Sequence, residues 1–332
     1  MITSVGGRVV ARARYLERVA AAYLGGAPSQ LTFWHEPPEI NEAAFGEPCG
    51  EYYHRFFHKA DYDAHRDAAG VPLLDYRGHV GRRYNPIAIA QWGLGNFNLH
   101  RRTGRPEREA RWLLAADWLV ANLRPNAMGV PVWPHDFDWE YRDTLKAGWY
   151  SALAQGQGIS LLCRAHRTTG RDVYLSAAES AFRALRLDVA SGGVRLAEGP
   201  DGAWLEETVV DPPTHILNGF LWALWGVRDW AVTARDPEAE RLLDACVRTL
   251  SRNLESFDCG FWSLYEQAGT RLPMLASPFY HGLHVSQLTI TARLLDMPEL
   301  QRWASRWRGY ARSAPCRQRA FVQKALFKLL YY

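Results

Sequence analysis

The sequence predicts a mainly α-helical chain folded as an α/α barrel, or toroid, of about four helix hairpins, with a small segment of strands and loops in front. Three observations carry this. A short apolar motif built around an amide residue recurs four times at a nearly constant interval. A helix-breaking cluster follows each copy. The first helix implied by each copy is strongly apolar, and three of the four carry small residues.

The four copies are Ile89-Ala90-Gln91-Trp92-Gly93-Leu94, Leu153-Ala154-Gln155-Gly156-Gln157-Gly158, Ile216-Leu217-Asn218-Gly219-Phe220-Leu221 and Val285-Ser286-Gln287-Leu288-Thr289-Ile290. The breaks are Thr103-Gly104-Arg105-Pro106, Thr169-Gly170-Arg171-Asp172, Arg235-Asp236-Pro237 and Asp296-Met297-Pro298. Gly stops a helix and Pro starts the next, so each copy reads as a hairpin. Small residues such as Ala90, Gly93, Gly156, Gly219 and Ala223 permit close helix approach. That suits an inner ring of helices wrapped by an outer one. An open α-solenoid is the alternative with the same local pattern. Between about residues 26 and 80, Pro37, Pro38, Pro48 and Pro72 interrupt every helical period. Residues 1–80 are therefore expected as a helix and β/loop cap, and residues 81–332 as the barrel with a basic terminal helix.

Apolar residues are 48% and charged residues 22% of the 332 positions, the range of an ordinary globular chain rather than a disordered or fibrous one. The longest charge-free stretch, Leu272 to Ala292, contains two prolines and two histidines and does not read as a membrane span. The charged start around Arg8, Arg12, Arg14 and Arg18 does not read as a secretory signal. It reads as an amphipathic helix, and the expected address is the cytoplasm. Five cysteines with no C-x-x-C pair indicate neither a disulfide framework nor zinc. Aromatic residues are abundant, with 14 Trp, 15 Tyr and 13 Phe. Their flat faces cover sugar rings, although a large aromatic core would use them equally.

The charge is uneven. After Glu299 there are eight Arg and Lys and no acid, which leaves the preceding residues net negative. Such a tail attracts polyanions. Phe321, Val322, Leu326, Leu329 and Leu330 add helical apolar spacing. The tail is then either a docked terminal helix or a peripheral membrane contact. No motif for nucleic acid accompanies it.

Three clusters carry candidate chemistry. Trp133-Pro134-His135-Asp136-Phe137-Asp138-Trp139-Glu140-Tyr141 combines acids, a histidine and aromatics in a loop, as a sugar site or as an anchored polar loop. Glu206-Glu207 precedes Asp211-Pro212-Pro213 and Asn218. On a strand the two carboxylates point to opposite faces, so one of them enters a site as general acid or base, unless both are solvated. Phe279-Tyr280-His281-Gly282-Leu283-His284 opens the fourth inner helix. His281 and His284 share a helix face, yet two such ligands are not a metal site, and hydrogen bonding or proton donation suits them better. Gly93-Leu94-Gly95 and Gly156-Gln157-Gly158 lack the third glycine of a dinucleotide loop, since Asn98 and Leu161 stand there. No nucleotide cofactor and no metal is expected.

On these residues the chain resembles the D-glucuronyl C5-epimerase family, in its carboxy-terminal α/α-barrel domain. The stretches are Tyr84 to Leu94, Gly148-Trp149-Tyr150-Ser151 through Gln155 and Gln157, Glu206-Glu207 with Leu217-Asn218-Gly219, Tyr265-Glu266, and Tyr280-His281 with His284 and Gln287. The resemblance implies inversion at C5 of glucuronate in a heparosan-like acidic polysaccharide, without a redox cofactor, by a protein that pairs as a homodimer. It implies Glu207, Tyr265 and Tyr280 as catalytic groups. Expected substrate contacts are Arg82, Arg83, Tyr84, Trp133, His135, Asp138, Tyr150, Gln155, Gln157, Glu206, Asn218, His281 and His284. The sequence departs from the animal-type pattern at two places. Thr208 follows the glutamate pair where a tyrosine is usual, and Ala268 stands where an arginine is usual, with Arg271 close by. Arg82 and Arg83 are the expected replacement for that missing carboxylate partner. A glycoside hydrolase or polysaccharide lyase on the same fold, or a binding protein that has lost catalysis, are the rival readings.

Overall fold

The computed structural model describes residues 10, 13, 14, 29–141 and 144–331. Of the amphipathic helix expected around Arg8, Arg12, Arg14 and Arg18, only Val10, Ala13 and Arg14 are among them, all three helical, and the rest lies outside. Two short helices come first, α1 (Gln30–Trp34) and α2 (Phe57–Ala60), then an antiparallel pair of two-residue strands, β1 (Leu74–Asp75) and β2 (Arg82–Arg83). Four hairpins follow. They are α3 (Pro86–Thr103) with α4 (Pro106–Asn122), α5 (Ala152–Thr169) with α6 (Asp172–Arg186), α7 (Leu217–Ala234) with α8 (Pro237–Asn253), and α9 (Pro278–Leu294) with α10 (Pro298–Arg312). Short antiparallel pairs sit between hairpins: β3 (Arg124–Pro125) with β4 (Pro131–Val132), β5 (Trp139–Glu140) with β6 (Thr144–Leu145), and β7 (Arg195–Glu198) with β8 (Gly202–Leu205). A last helix, α11 (Ala314–Tyr331), ends the described chain.

Local chemistry sets the helix ends. Asn85 accepts hydrogen bonds from the Ile87 and Ala88 amides, and Ser151 from that of Leu153. Proline occupies the first position of α3, α4, α8, α9 and α10, where its missing N–H is harmless. The first two breaks are near copies in three dimensions. Gly104 and Gly170 take left-handed φ values of 64° and 70°, and their amides donate to His100 and His166 carbonyls at 2.8 Å. Those histidine rings in turn donate to the Arg105 and Arg171 carbonyls.

The first helix of each hairpin is buried along most of its length, whereas the second is buried on one side only. This is the difference between an inner and an outer layer. Small residues allow the inner helices to touch backbone to backbone. A Cβ on Gly226 would lie 2.3 Å from the Gly156 Cα, and one on Gly156 would lie 2.6 Å from the Ala223 Cα.

The inner helices α3, α5, α7 and α9 follow one another around the ring, and residues 50–60 bridge from α9 back to α3. On one side Asn98 of α3 accepts from the Tyr52 amide at 2.6 Å and donates to the His54 carbonyl at 2.9 Å. On the other, His54 Nε2 meets Ser286 Oγ of α9 at 3.0 Å. The arrangement is a closed toroid rather than an open superhelix. At its centre Arg164 of α5 and Asp229 of α7 form a fully buried ion pair at 2.6 Å. Arg164 also donates to the carbonyls of Gly50 and Ser160, both at 2.8 Å, and the Tyr53 hydroxyl donates to Asp229. Two inner helices and the bridging segment thus meet at one charge pair.

The terminal helix α11 docks through Ala320 and Phe327, with Lys324 Nζ donating to the Leu275 carbonyl at 2.5 Å. Its opposite side leaves Phe321, Val322, Leu329 and Leu330 exposed. Among the described residues no helix is long and apolar enough to cross a membrane.

Breaking one partner of the central pair strands the other charge in the core, at a cost of roughly 3–5 kcal/mol. Asp229→Leu and Arg164→Met are each expected to lower the unfolding free energy by about that much in urea titrations. The double replacement is expected to be milder than either, because it leaves no buried charge behind.

Candidate active site

The connections that precede the inner helices gather at one mouth of the ring, and a cavity of about 210 Å³ opens there. Its wall carries Glu207, Asn218, Tyr265 and Tyr280, together with Trp34, Trp139, Trp149 and Trp222. Four indole rings beside four polar groups suit a ring-shaped ligand with apolar faces and hydroxyl edges.

Backbone register decides which glutamate enters. The Glu206 amide donates to the Val194 carbonyl at 2.8 Å, and the Glu206 carbonyl accepts from the Ala152 amide at 3.0 Å. This pins the chain just past β8 between strand and helix. Side chains alternate along an extended segment. Glu206 turns into the wall, where it is 1% exposed and pairs with the His215 ring and amide. Glu207 faces the cavity and lies across Gly219 of α7. A Cβ at residue 219 would come within 2.2 Å of the Glu207 carboxylate, so the glycine makes room for the acid. The neighbouring Asn218 Nδ2 donates to Glu207 Oε2 at 3.2 Å.

Enclosure in protein raises the Glu207 pKa to about 8, with the Glu266 charge adding to the effect, the Asn218 hydrogen bond opposing it and Glu206 contributing least. Glu266 is itself buried and accepts a hydrogen bond from the Tyr141 hydroxyl.

Tyr265 and Tyr280 meet edge to face with ring centroids 4.9 Å apart. Tyr265 is held by its amide to the Met274 carbonyl and by its carbonyl to the Leu217 amide at the start of α7. Tyr280 lies in the first turn of α9, and its amide bonds to the Ser277 cap at 3.3 Å. Burial and then the Glu207 charge push both phenols well above the ordinary tyrosine range. The two hydroxyls are therefore neutral proton donors. The Tyr265 side chain partly offsets the rise at Tyr280 by hydrogen bonding.

The other expected residues are not gathered here. Arg82, Arg83 and Tyr84 line a second cavity of about 290 Å³ with Trp118 and Arg124, and only Phe137 borders both. The reason is the Asn85 cap, which turns the chain into α3 one residue later, leaving β2 outside the first cavity. Trp133 is a core residue whose indole donates to the Leu119 carbonyl and packs on Gly158. Gln155 supports it, accepting from the Trp133 amide at 3.0 Å, and Gln157 accepts from Gln91 at 3.0 Å. His135 is buried and stacked on Trp149 at 3.7 Å, with its pKa pushed down to about 3 by that burial. Asp138 pairs with Lys146 at 2.9 Å, and Tyr150 packs beside Val130 and Val132. His281 and His284 share Ser263 Oγ, at 2.8 and 3.0 Å. Burial holds them neutral, at about 4 and about 3. Among the described residues no three His, Cys, Asp or Glu side chains assemble as a metal set.

Among the cavity residues that were not expected as site residues, one is a cation. Lys59 of α2 lines the same wall as Glu207 and is 5% exposed. It stands alone in a segment without periodicity. The only sequence signal is a lysine set close behind two phenylalanines, Phe56 and Phe57.

The carboxyl carbon of Glu207, followed by NMR in the free protein, is expected to titrate near pH 8. Glu266→Gln removes a neighbouring charge and is expected to lower that midpoint, while Gly219→Ala displaces the carboxylate and changes its shift.

Residues 129–309 match the family model described as "D-glucuronyl C5-epimerase C-terminus". The chain is 34% identical over 223 residues to the D-glucuronyl C5-epimerase of Caenorhabditis elegans, covering 62% of this chain and 36% of that protein. It is 28% identical over 176 residues to "Uncharacterized protein MJ1128" of Methanocaldococcus jannaschii, covering 52% of this chain and 56% of the relative. The chain thus matches well under two thirds of the length of either relative. The matched region contains Glu207, Asn218, Tyr265 and Tyr280 and excludes Lys59. By the extent of that match, over half its length, this chain belongs to the D-glucuronyl C5-epimerase family.

Proposed function

We propose that the chain inverts C5 of D-glucuronate residues to L-iduronate within a heparosan-like acidic polysaccharide. The observation that carries this is the convergence of one carboxyl, Glu207, and two phenols, Tyr265 and Tyr280, on a single cavity walled by indoles. The C5 hydrogen is α to a carboxylate and very weakly acidic, so a base of raised pKa suits its removal. Glu207, as carboxylate, takes that proton. The C5–H electron pair moves into the sugar carboxyl as an enediolate. Tyr280, neutral by burial, donates its hydroxyl proton to C5 from the opposite face. The proton on Glu207 then returns to the Tyr280 oxygen through Tyr265 or solvent, which resets the site.

In heavy water this cycle leaves deuterium at C5 with the polymer length unchanged. A hydrolase would instead raise reducing ends, a lyase would form a 4,5-double bond, and a binding protein would do none of these. Incubation of polymeric glucuronate substrate in deuterated buffer, read by NMR and chain-length analysis, is expected to show C5 deuteration alone. Glu207→Gln and Tyr280→Phe are each expected to slow that exchange by about 10²–10⁴-fold, the usual contribution of a positioned acid or base.

A further inference from the structure

We propose that Lys59, from the segment that bridges the ring, is the cation that receives the substrate's carboxylate in the Glu207 cavity. This deepens the epimerase reading and rests on it. An enediolate carries two negative charges beside the reacting carbon, and such charge needs a preorganised positive partner. Among the described residues, Lys59 is the one Lys or Arg that lines this cavity. The two arginines expected for the task, Arg82 and Arg83, line the other cavity.

The lysine is built into place. Its Nζ donates to the Phe33 carbonyl at 2.6 Å and lies 4.3 Å from the Phe33 ring centroid, with the Trp34 and Phe56 rings at 5.4 and 5.7 Å. Among the described residues no carboxylate forms an ion pair with it. An ammonium has three N–H donors, and the Phe33 carbonyl uses one. The turn that delivers it starts at Phe56, which adopts a left-handed φ of 53°. That conformation is costly for an aromatic residue and is typical of segments held for function.

Burial lowers the Lys59 pKa to about 7, with the Glu36 charge opposing. Glu36, Glu207, Tyr265 and Tyr280 line the same cavity, and His35 and His54 also face the lysine. Burial and then the Lys59 charge lower both histidines, with His54 at about 3. An arriving carboxylate would supply the missing counter-charge and raise the Lys59 pKa. The sign for turnover follows. Productive binding needs Lys59 charged, while proton removal needs Glu207 ionised. The kcat/KM profile is then a bell, rising below about 7 and falling above about 8.

The test uses the full chain with a glucuronate–N-acetylglucosamine tetrasaccharide and its carboxyl-reduced counterpart, in which glucose replaces glucuronate. In calorimetry near pH 6, Lys59→Met is expected to weaken the acidic ligand at least about tenfold, equivalent to about 1.4 kcal/mol. It should bind the reduced ligand as the wild type does, which also reports an intact fold. Lys59→Arg is expected to keep the acidic ligand and to abolish the falling limb, so that kcat/KM rises through about pH 8 to a plateau. In the unmutated protein, the Lys59 Cε resonance should titrate near 7 alone and clearly higher with the acidic ligand bound. Equal weakening of both ligands, unchanged binding of both, or an unmoved Lys59 titration overturns the assignment. If the wild type shows no C5 exchange, the epimerase reading fails, and the binding and titration results still decide Lys59 separately.

Discussion

The toroid depends on a single buried joint. Arg164 and Asp229 sit at zero exposure where α5, α7 and the bridging segment meet. A guanidinium in that position is tolerable because three carbonyl and carboxylate acceptors surround it, and the Tyr53 hydroxyl takes up another lone pair of the aspartate. The pair is specific as well as costly. A register of α5 on α7 that left either charge unpaired in the core would be strongly penalised. The register that pairs them brings Gly156 against Ala223 and Gly226, and so sets the spacing of the inner ring on which the mouth is built.

Enclosure at the mouth does three things with one physical cause. Loss of water raises Glu207, raises Tyr265 and Tyr280, and lowers Lys59. Each shift disfavours the charged form. A carboxyl near 8 is a stronger base than one in water, and a phenol held neutral is a donor. A lysine near 7 gains most when an anion arrives. In the free site these four groups are therefore biased toward their neutral forms, and an acidic sugar would favour the charged form of Lys59.

The four hairpins are alike in sequence, yet only one opens onto the acid. Gln91 bonds to Gln157, Gln155 holds the Trp133 backbone, Gln287 donates to the Asn218 carbonyl, and Asn218 alone reaches a cavity carboxylate. Three amides of the repeat fasten wall elements to one another. Glycine follows the amide in the second and third copies alike, but Gly156 is met by the α7 backbone, whereas the room at Gly219 is filled by Glu207. Repetition accounts for the scaffold, and its local breakdown accounts for the site.

The helix hairpins, their caps and their inner or outer character were legible in the chain itself. They follow from periodicity, from Gly and Pro at the breaks, and from small residues on the buried helices, all of which act over a few residues. Glu207, Tyr265 and Tyr280 were reached through motif resemblance. That they share a cavity depends on contacts between elements far apart in sequence. The same long-range packing placed Arg82 and Arg83 in a separate cavity, because the Asn85 cap ends β2 outside the ring. It turned His135, Gln155 and His284 into wall residues, and it delivered Lys59 from a segment with no pattern of its own. Local sequence determines which helices form; which polar side chains lose their water, and beside which partners, is decided only when the ring closes.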